Sequence, residues 1–236
     1  SILVLLDTHM HLDATQLSPL LEGLLRRLMH VSAQDHEASQ TLSKQLNAVV
    51  LRILSMSHGD DVYQALFSLL VSTTADVAAG DQAQLAELVV KCLWKVARKL
   101  PAALEAKQVH AEALLRSVEG FFEAIPPSEW AQRAQKHVPL RDIPLITATN
   151  VLKQLTDTLG EGALAATDAW TEPEKTHVYR YLLRLLHGPS PPPAADAPSS
   201  HLPRAPSPAP PAPPSARPPT TERGGRRGCR RPPGRA

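Results

Sequence analysis

Residues 81–101, DQAQLAELVVKCLWKVARKLP, decide the fold class of this chain. Their apolar residues recur every three or four positions, at Leu85, Leu88, Val89, Cys92, Leu93, Val96 and Leu100. This spacing places them on one face of an α-helix that buries them against neighbouring elements. We expect Asp81 to cap this helix and Pro101 to end it, because proline lacks the N–H group that a helix interior uses.

The same rhythm precedes this stretch. Apolar residues at helical spacing between positions 42 and 54 predict a helix that stops at His58-Gly59, where glycine can take a left-handed cap. Asp60 or Asp61 is then expected to cap a second helix, which closes near Gly80. The two helices are predicted to form a hairpin.

The pattern also continues downstream. A helix over residues 109–122 is expected to end at Ile125-Pro126-Pro127 and to form a second hairpin with residues 81–101. A helix over residues 144–160 follows, with proline near its start and glycine at its end. The capping-box pattern Thr171-Glu172-Pro173-Glu174 predicts the start of a last helix, which runs to Gly188.

Three helical hairpins with a period of about 40 residues indicate an all-α, HEAT/armadillo-like array over residues 1–187. A compact, non-repeating helical bundle is the alternative. Hydrophobic residues make up 43% of the chain but aromatic residues only 4%, a balance that favours stacked helices over a sheet.

Residues 188–236 differ sharply in composition from the rest, since they hold sixteen of the 23 prolines. They predict a disordered Pro/Arg-rich tail, because proline removes backbone donors and fixes φ. Eight arginines against Asp196 and Glu222 give this tail a charge of +6, so residues 1–187 carry −4 of the chain's net +2. The tail's arginines cluster near its end, at Arg223, Arg226, Arg227, Arg230 and Arg231.

Cys92 and Cys229 are far apart and lack a metal-ligand spacing, so we expect Cys92 to be a buried thiol. No apolar run reaches the roughly 20 residues that a membrane-spanning helix needs, and we expect a soluble, intracellular chain. The chain begins with Ser1 rather than Met, as a piece of a longer protein would.

The motif Asp7-Thr8-His9-Met10-His11-Leu12-Asp13 is the strongest enzyme-like signal. It resembles the first metal-binding strand of amidohydrolases and TatD-type deoxyribonucleases, in which His-x-His binds a divalent ion. That chemistry needs further ligands from other strands of a barrel, and the pattern after Asp13 is helical throughout. The remaining histidines, such as His30, His36, His58, His110, His137 and His177, are scattered over helices and turns. We therefore expect no enzyme activity, no metal, no cofactor and no small-molecule substrate.

Three blocks carry a resemblance to a known family, LNAVVLRIL at 46–54, ALFSLL at 65–70 and ELVVKCLWKVARKLP at 87–101. Leu5-Leu6-Asp7-Thr8 precedes them, and Phe121-Phe122, Pro126 and Pro139-Leu140-Arg141 follow. In this order they resemble the HEAT-like domain near the C-terminus of the TOG-domain microtubule polymerases. The likeness covers roughly residues 1–187, and Lys91-Cys92-Leu93-Trp94-Lys95 is its most specific part.

The resemblance implies a non-catalytic, microtubule-associated module. Members of this family use upstream TOG domains to capture tubulin for microtubule polymerisation, whereas their C-terminal region serves localisation and partner docking. It implies recruitment to the cytoskeleton at spindle poles, microtubule-organising centres, kinetochores and plus ends, partly through transforming acidic coiled-coil proteins. A general HEAT-type adaptor without a cytoskeletal role is the alternative.

Lys91, Lys95 and Arg98 or Lys99 recur at i, i+4 and i+7 or i+8, beside the apolar stripe of their helix. This basic ridge is either a contact for an acidic partner, a coiled coil or the tubulin surface, or an ordinary solvated face. Trp94 lies near it as a partly buried packing residue or a binding anchor. The tail arginines are expected to bind microtubules or nucleic acid by charge alone.

Overall fold

The computed structural model describes residues 12–33, 36–75, 80–136 and 138–188. The chain divides into two units, Ser1–Pro191 and Pro192–Ala236, and all the described residues belong to the first. The motif histidines His9 and His11 lie outside the described residues, as does the predicted tail after Gly188.

The described part of the chain is helical and contains no strand, which confirms the predicted all-α class. Within the described residues there are ten α-helices: α1 Ala14–Ser32, α2 Glu37–Met56, α3 Gly59–Thr74, α4 Asp81–Ala97, α5 Leu100–Glu105, α6 Ala111–Ala124, α7 Pro127–Gln135, α8 Ile143–Leu159, α9 Gly162–Ala165 and α10 His177–His187. A 3-10 turn, Pro173–Lys175, precedes α10. Among these helices none is both long enough and apolar enough to cross a bilayer.

The helices stack in two layers. Helices α1, α3, α6 and α10 form one row, each packed against the next. Helices α4 and α8 pack against each other on one side of this row, and α2 lies on the same side because it lines common hollows with α4. Within the described residues, the core therefore consists of leucine and aromatic side chains that pack between the two layers of helices.

The predicted hairpins of α2 with α3 and of α4 with α6 are wrong. The main partner of α2 is α1, which precedes it, and the main partner of α4 is α3. The reason is α1 itself, which the sequence analysis did not predict although Leu17, Leu21, Leu25 and Leu28 mark its buried face. The last predicted pair, α8 with α10, is confirmed.

Several predicted helix ends are also corrected. Gly59 is not a left-handed cap: α2 ends at Met56, Ser57 is extended, and Gly59 begins α3. Asp81 is the first residue of α4, and its N-cap is Gly80, whose φ of 92° favours glycine. Helix α8 ends at Leu159 and has Gly160 as its C-cap residue, with a φ of 56°, which agrees with the predicted end at this glycine.

Proline and threonine signals near two other ends act differently from what we predicted. Helix α4 ends at Ala97, before Pro101, which instead occupies the first turn of α5. This is the position where proline costs least, because the first N–H groups of a helix have no partner within it. The capping-box pattern at Thr171-Glu172-Pro173-Glu174 leads into the 3-10 turn and does not cap α10. The cap of α10 is Thr176, whose side chain accepts a hydrogen bond from the N–H group of Tyr179.

Two helix starts are capped by acids from α3. Asp61 Oδ1 accepts a hydrogen bond of 3.2 Å from the N–H of Ala14, the first residue of α1. Asp60 Oδ1 accepts one of 2.8 Å from the N–H of His110, the residue before α6. These two carboxylates were predicted to cap their own helix, but His58 is its N-cap residue. They therefore hold three helices of one layer together at their ends.

The predicted core face of α4 is confirmed. Leu85, Val89, Cys92 and Leu93 are buried, and burial raises the pKa of the Cys92 thiol to about 11. Glu119 of α6 is a buried carboxylate that accepts hydrogen bonds from the first two N–H groups of α10. It satisfies donors that no residue within α10 reaches.

Candidate docking groove

The residues of the predicted basic ridge are all exposed. Lys91 forms an ion pair of 2.7 Å with Glu87, one helical turn earlier on α4. Lys95 follows one turn later on α4, Arg98 is the C-cap residue of this helix, and Lys99 is the N-cap residue of α5. The structure thus places the ridge on the outer side of α4.

Two hollows follow the line where α2 and α4 face each other. One has a volume of about 540 Å³ and lies between residues 48–55 of α2 and the junction of α4 with α5, where Lys95, Val96 and Lys99 line it. The other, of about 660 Å³, lies between residues 43–47 of α2 and residues 84–91 of α4. Low residue numbers of both helices meet in one hollow and high numbers in the other, so α2 and α4 run in the same direction. We call the two hollows together the α2–α4 groove.

The first hollow has an apolar floor and a positive rim. The floor contains Leu54, Val62 and Tyr63, which are buried, together with other apolar side chains from α2, α4, α5 and the segment before α6. The charged residues that line it are Arg52, Lys95 and Lys99, and its lining includes no acid. An apolar floor under a single sign of charge favours an amphipathic partner of the opposite sign.

Tyr63, one of the residues that line this hollow, carries a buried hydroxyl. Its side chain is fully buried, and its hydroxyl has no hydrogen-bond partner among the described residues. Burial raises the pKa of Tyr63, so the hydroxyl keeps its proton. It is a donor for which the described chain supplies no acceptor.

The second hollow has mixed charges. Lys44 lines it from α2, and Glu87 and Lys91 line it from α4. Because the carboxylate of Glu87 is engaged by Lys91, Lys44 adds positive charge to this end of the groove. The groove as a whole therefore carries five cationic side chains and one acid.

Three of the predicted ridge residues, Lys91, Lys95 and Lys99, line the groove, whereas Arg98 does not line either hollow. Lys44 and Arg52, on the opposite wall, were not predicted as site residues. They lie eight positions apart, on one face of α2, but only the fold shows that this face lies beside α4.

Trp94 points away from the groove. Its indole N–H donates a hydrogen bond of 3.0 Å to Thr147 Oγ1 on α8, and the ring is 42% exposed. More than half of its surface is covered, as expected for a residue that packs between two helices. The tail arginines Arg223, Arg226, Arg227, Arg230 and Arg231 lie outside the described residues.

The loops at one end of the groove lie very close together. An added Cβ at Gly59 would be 2.5 Å from the backbone oxygen of Gln108, so only glycine fits there. This approach brings His58, before α3, beside His110, before α6, and their rings stack with centroids 6.0 Å apart. These two histidines were predicted to be scattered over helices and turns, and the structure brings them together.

Comparison of the chain with known protein families and with solved structures gave no match.

Proposed function

We propose that residues 1–187 form a non-catalytic interaction module of the microtubule cytoskeleton, which docks an acidic helical segment of a partner protein in the α2–α4 groove. The observation that carries this proposal is the apolar floor of the groove under a rim of Arg52, Lys95 and Lys99, with no acid in the lining of that hollow. The partner class we propose is the transforming acidic coiled-coil type.

The dimensions of the groove suit a helix. Its lining residues on α4 extend from Gln84 to Val96, which is about 18 Å along a helix axis. A partner helix of three to four turns, about 18 Å long, would span this length and place its apolar stripe on the floor. Acidic side chains that flank the stripe would then lie against the lysines and the arginine of the walls.

The layered packing of the domain supports a HEAT-type array. Each of the pairs α1–α2 and α3–α4 contributes one helix to the continuous row and one to the other layer. Grooves between successive hairpins are the surfaces that such arrays use for extended partners. With the likeness at residues 46–54, 65–70 and 87–101, this favours the C-terminal region of a plus-end microtubule polymerase over a general adaptor.

The charge distribution supports a division of labour along the chain. Residues 1–187 carry −4, so the acidic microtubule surface should repel them weakly, whereas the tail carries +6 and should be attracted. We propose that partner docking locates the chain at spindle poles, microtubule-organising centres and plus ends, and that the tail adds salt-sensitive contact with the microtubule itself.

The test compares three variants of the full chain. The groove variant is Lys95→Glu/Lys99→Glu, and its control is Arg27→Glu/Lys153→Glu, which makes the same charge change at exposed positions outside both hollows. The tail variant replaces Arg223, Arg226, Arg227, Arg230 and Arg231 with Gln. Each is measured for binding to an acidic coiled coil and for co-sedimentation with microtubules, at low and high salt.

We expect the groove variant to bind the coiled coil at least about tenfold more weakly, because two contacts of up to about 1 kcal/mol each become repulsive. The control should bind as the parent chain does. The tail variant should no longer co-sediment with microtubules but should bind the coiled coil as the parent chain does. Equal coiled-coil binding by groove variant and control would refute docking in the groove, and the absence of co-sedimentation from every chain would favour the general adaptor.

A further inference from the structure

His58, Asp60 and His110 form a cluster at the end of the α2–α4 groove. Asp60 Oδ2 lies 2.7 Å from His110 Nδ1 and 3.7 Å from His58 Nδ1. One ligand atom from each of the three residues lies within 4.8 Å of the others. Their side chains are 36%, 20% and 63% exposed, in the order His58, Asp60, His110, so an ion from solvent can reach them.

We infer that this cluster is a zinc-binding site. Two imidazole nitrogens and one carboxylate oxygen are a donor set that zinc takes up in proteins, with three protein ligands and an open position. Zinc bonds of about 2.0–2.1 Å place tetrahedral ligand atoms about 3.3 Å apart. The separations of 2.7 Å and 3.7 Å from Asp60 Oδ2 lie on either side of this value, and the ligand atoms of the two histidines lie within 4.8 Å of each other, so side-chain rotations would bring the three atoms to it.

The carboxylate of Asp60 is already oriented for this role. Its Oδ1 accepts the N–H of His110 at 2.8 Å, which leaves Oδ2 directed at the two rings. A ligating carboxylate that is held by a second hydrogen bond is typical of protein zinc sites. Zinc would replace the contact between Asp60 Oδ2 and His110 Nδ1 and keep the one between Asp60 Oδ1 and the backbone.

The donor set also selects among metals. Magnesium and calcium prefer all-oxygen sites, so two imidazoles disfavour them. Zinc, with its affinity for both nitrogen and carboxylate oxygen, suits the set. Because His58 precedes α3 and His110 precedes α6, the ion would fasten together the two segments that close one end of the groove.

The inference does not depend on the proposed partner, and its test needs none. Zinc alone is titrated into the full chain by calorimetry, and cobalt is used as a spectroscopic substitute whose visible absorption reports the coordination geometry. The variants are His58→Gln and His58→Gln/His110→Gln. The control is His30→Gln/His36→Gln, which removes two exposed histidines outside the cluster.

Replacing His58 leaves both hydrogen bonds between Asp60 and His110 in place, so this variant should fold like the parent chain. Melting curves recorded by circular dichroism without metal check that it does. We expect zinc to raise the melting temperature of the parent chain and of the control. His58→Gln should bind zinc at least about tenfold more weakly, and the double variant should lose the site and its cobalt spectrum.

Two results would overturn the inference. One is a parent chain that shows no saturable binding of zinc. In that case Asp60 and His110 would only form the hydrogen bonds that join α3 to the segment before α6. The other is zinc binding by the double variant with the affinity and cobalt spectrum of the parent chain, since the ion would then be held by other residues, such as His9 and His11.

Discussion

Replacing Gly59 with Ala should destabilise the domain, although Ala normally favours a helix. The new Cβ would lie 2.4 Å from Val109 Cγ2 and 2.5 Å from the backbone oxygen of Gln108, whereas favourable contacts need about 3.5 Å. Val109 is buried and its side chain has little rotational freedom, and the oxygen belongs to the backbone. Relief therefore requires the segment before α6 to move by about 1 Å.

Overpacking of this kind costs about 1–3 kcal/mol. The intrinsic preference of a helix for Ala over Gly offsets at most about 1 kcal/mol of it, and less in the first turn, where Gly59 lies. We expect the free energy of unfolding to fall by about 1–2 kcal/mol in urea titrations of the full chain, followed by circular dichroism.

Two other glycines provide the control for this substitution. Gly23 in α1 and Gly120 in α6 are exposed, and a Cβ added at either meets no atom within 4 Å. Gly23→Ala and Gly120→Ala should each raise the free energy of unfolding by about 0.5–1 kcal/mol. If Gly59→Ala is stabilising like the controls, the close approach of α3 to residues 108–109 is wrong, and with it the proximity of the two histidines.

Two further substitutions test the interior. Glu119→Ala should lower the free energy of unfolding by about 2–4 kcal/mol in the same urea titration, because it leaves two N–H groups of α10 without acceptors. The control, Glu123→Ala, changes an exposed residue of α6 and should alter this free energy by no more than about 0.5 kcal/mol. Burial raises the pKa of the Cys92 thiol to about 11 in the folded chain, against 9.0 in the unfolded chain. The contribution of this thiol to stability is therefore present below pH 9 and is lost as the pH rises toward 11. Cys92→Ala should flatten the fall in stability between these pH values, and a slope identical to that of the parent chain would contradict the assignment.

Helix existence and the buried faces were predictable from sequence, since they depend on local periodicity. The face of α4 is the clearest case, because every apolar residue predicted for it is buried or partly buried. Helix α1, which was not predicted, shows the same spacing of leucines at three or four residues, so its sequence does indicate a helix.

Some helix ends were less predictable because side chains from distant residues bond to them. Asp61 bonds to an N–H group 47 positions away, and Glu119 to groups 58 and 59 positions away. Local rules assume that a capping side chain serves its own helix. They assigned Asp60 and Asp61 to α3 for this reason, whereas tertiary packing directs both carboxylates to other helices.

The candidate site separates into predictable and unpredictable parts in the same way. Lys91, Lys95 and Lys99 follow from spacing on one helix, but the opposite wall of the groove depends on which helices are neighbours. Asp60 and His110 are 50 positions apart, and only the approach of residues 108–109 to Gly59 brings them together. Nothing in the local sequence around either residue indicates the other.

Net charge and local charge have opposite signs in this domain, and the range of electrostatic forces decides which one a partner senses. Over residues 1–187 the charge is −4, yet the groove is lined by five cationic side chains and one acid. At 0.1 M salt the Debye length is about 10 Å, shorter than the groove itself, so a helix seated in it interacts with the lysines and is screened from most of the acidic surface. In the proposed function, a microtubule surface is far larger than the groove and would meet the net charge of residues 1–187 instead. An acidic helix should therefore prefer the groove and an acidic microtubule surface should prefer the tail, which leaves the two kinds of binding free to occur on one chain at the same time.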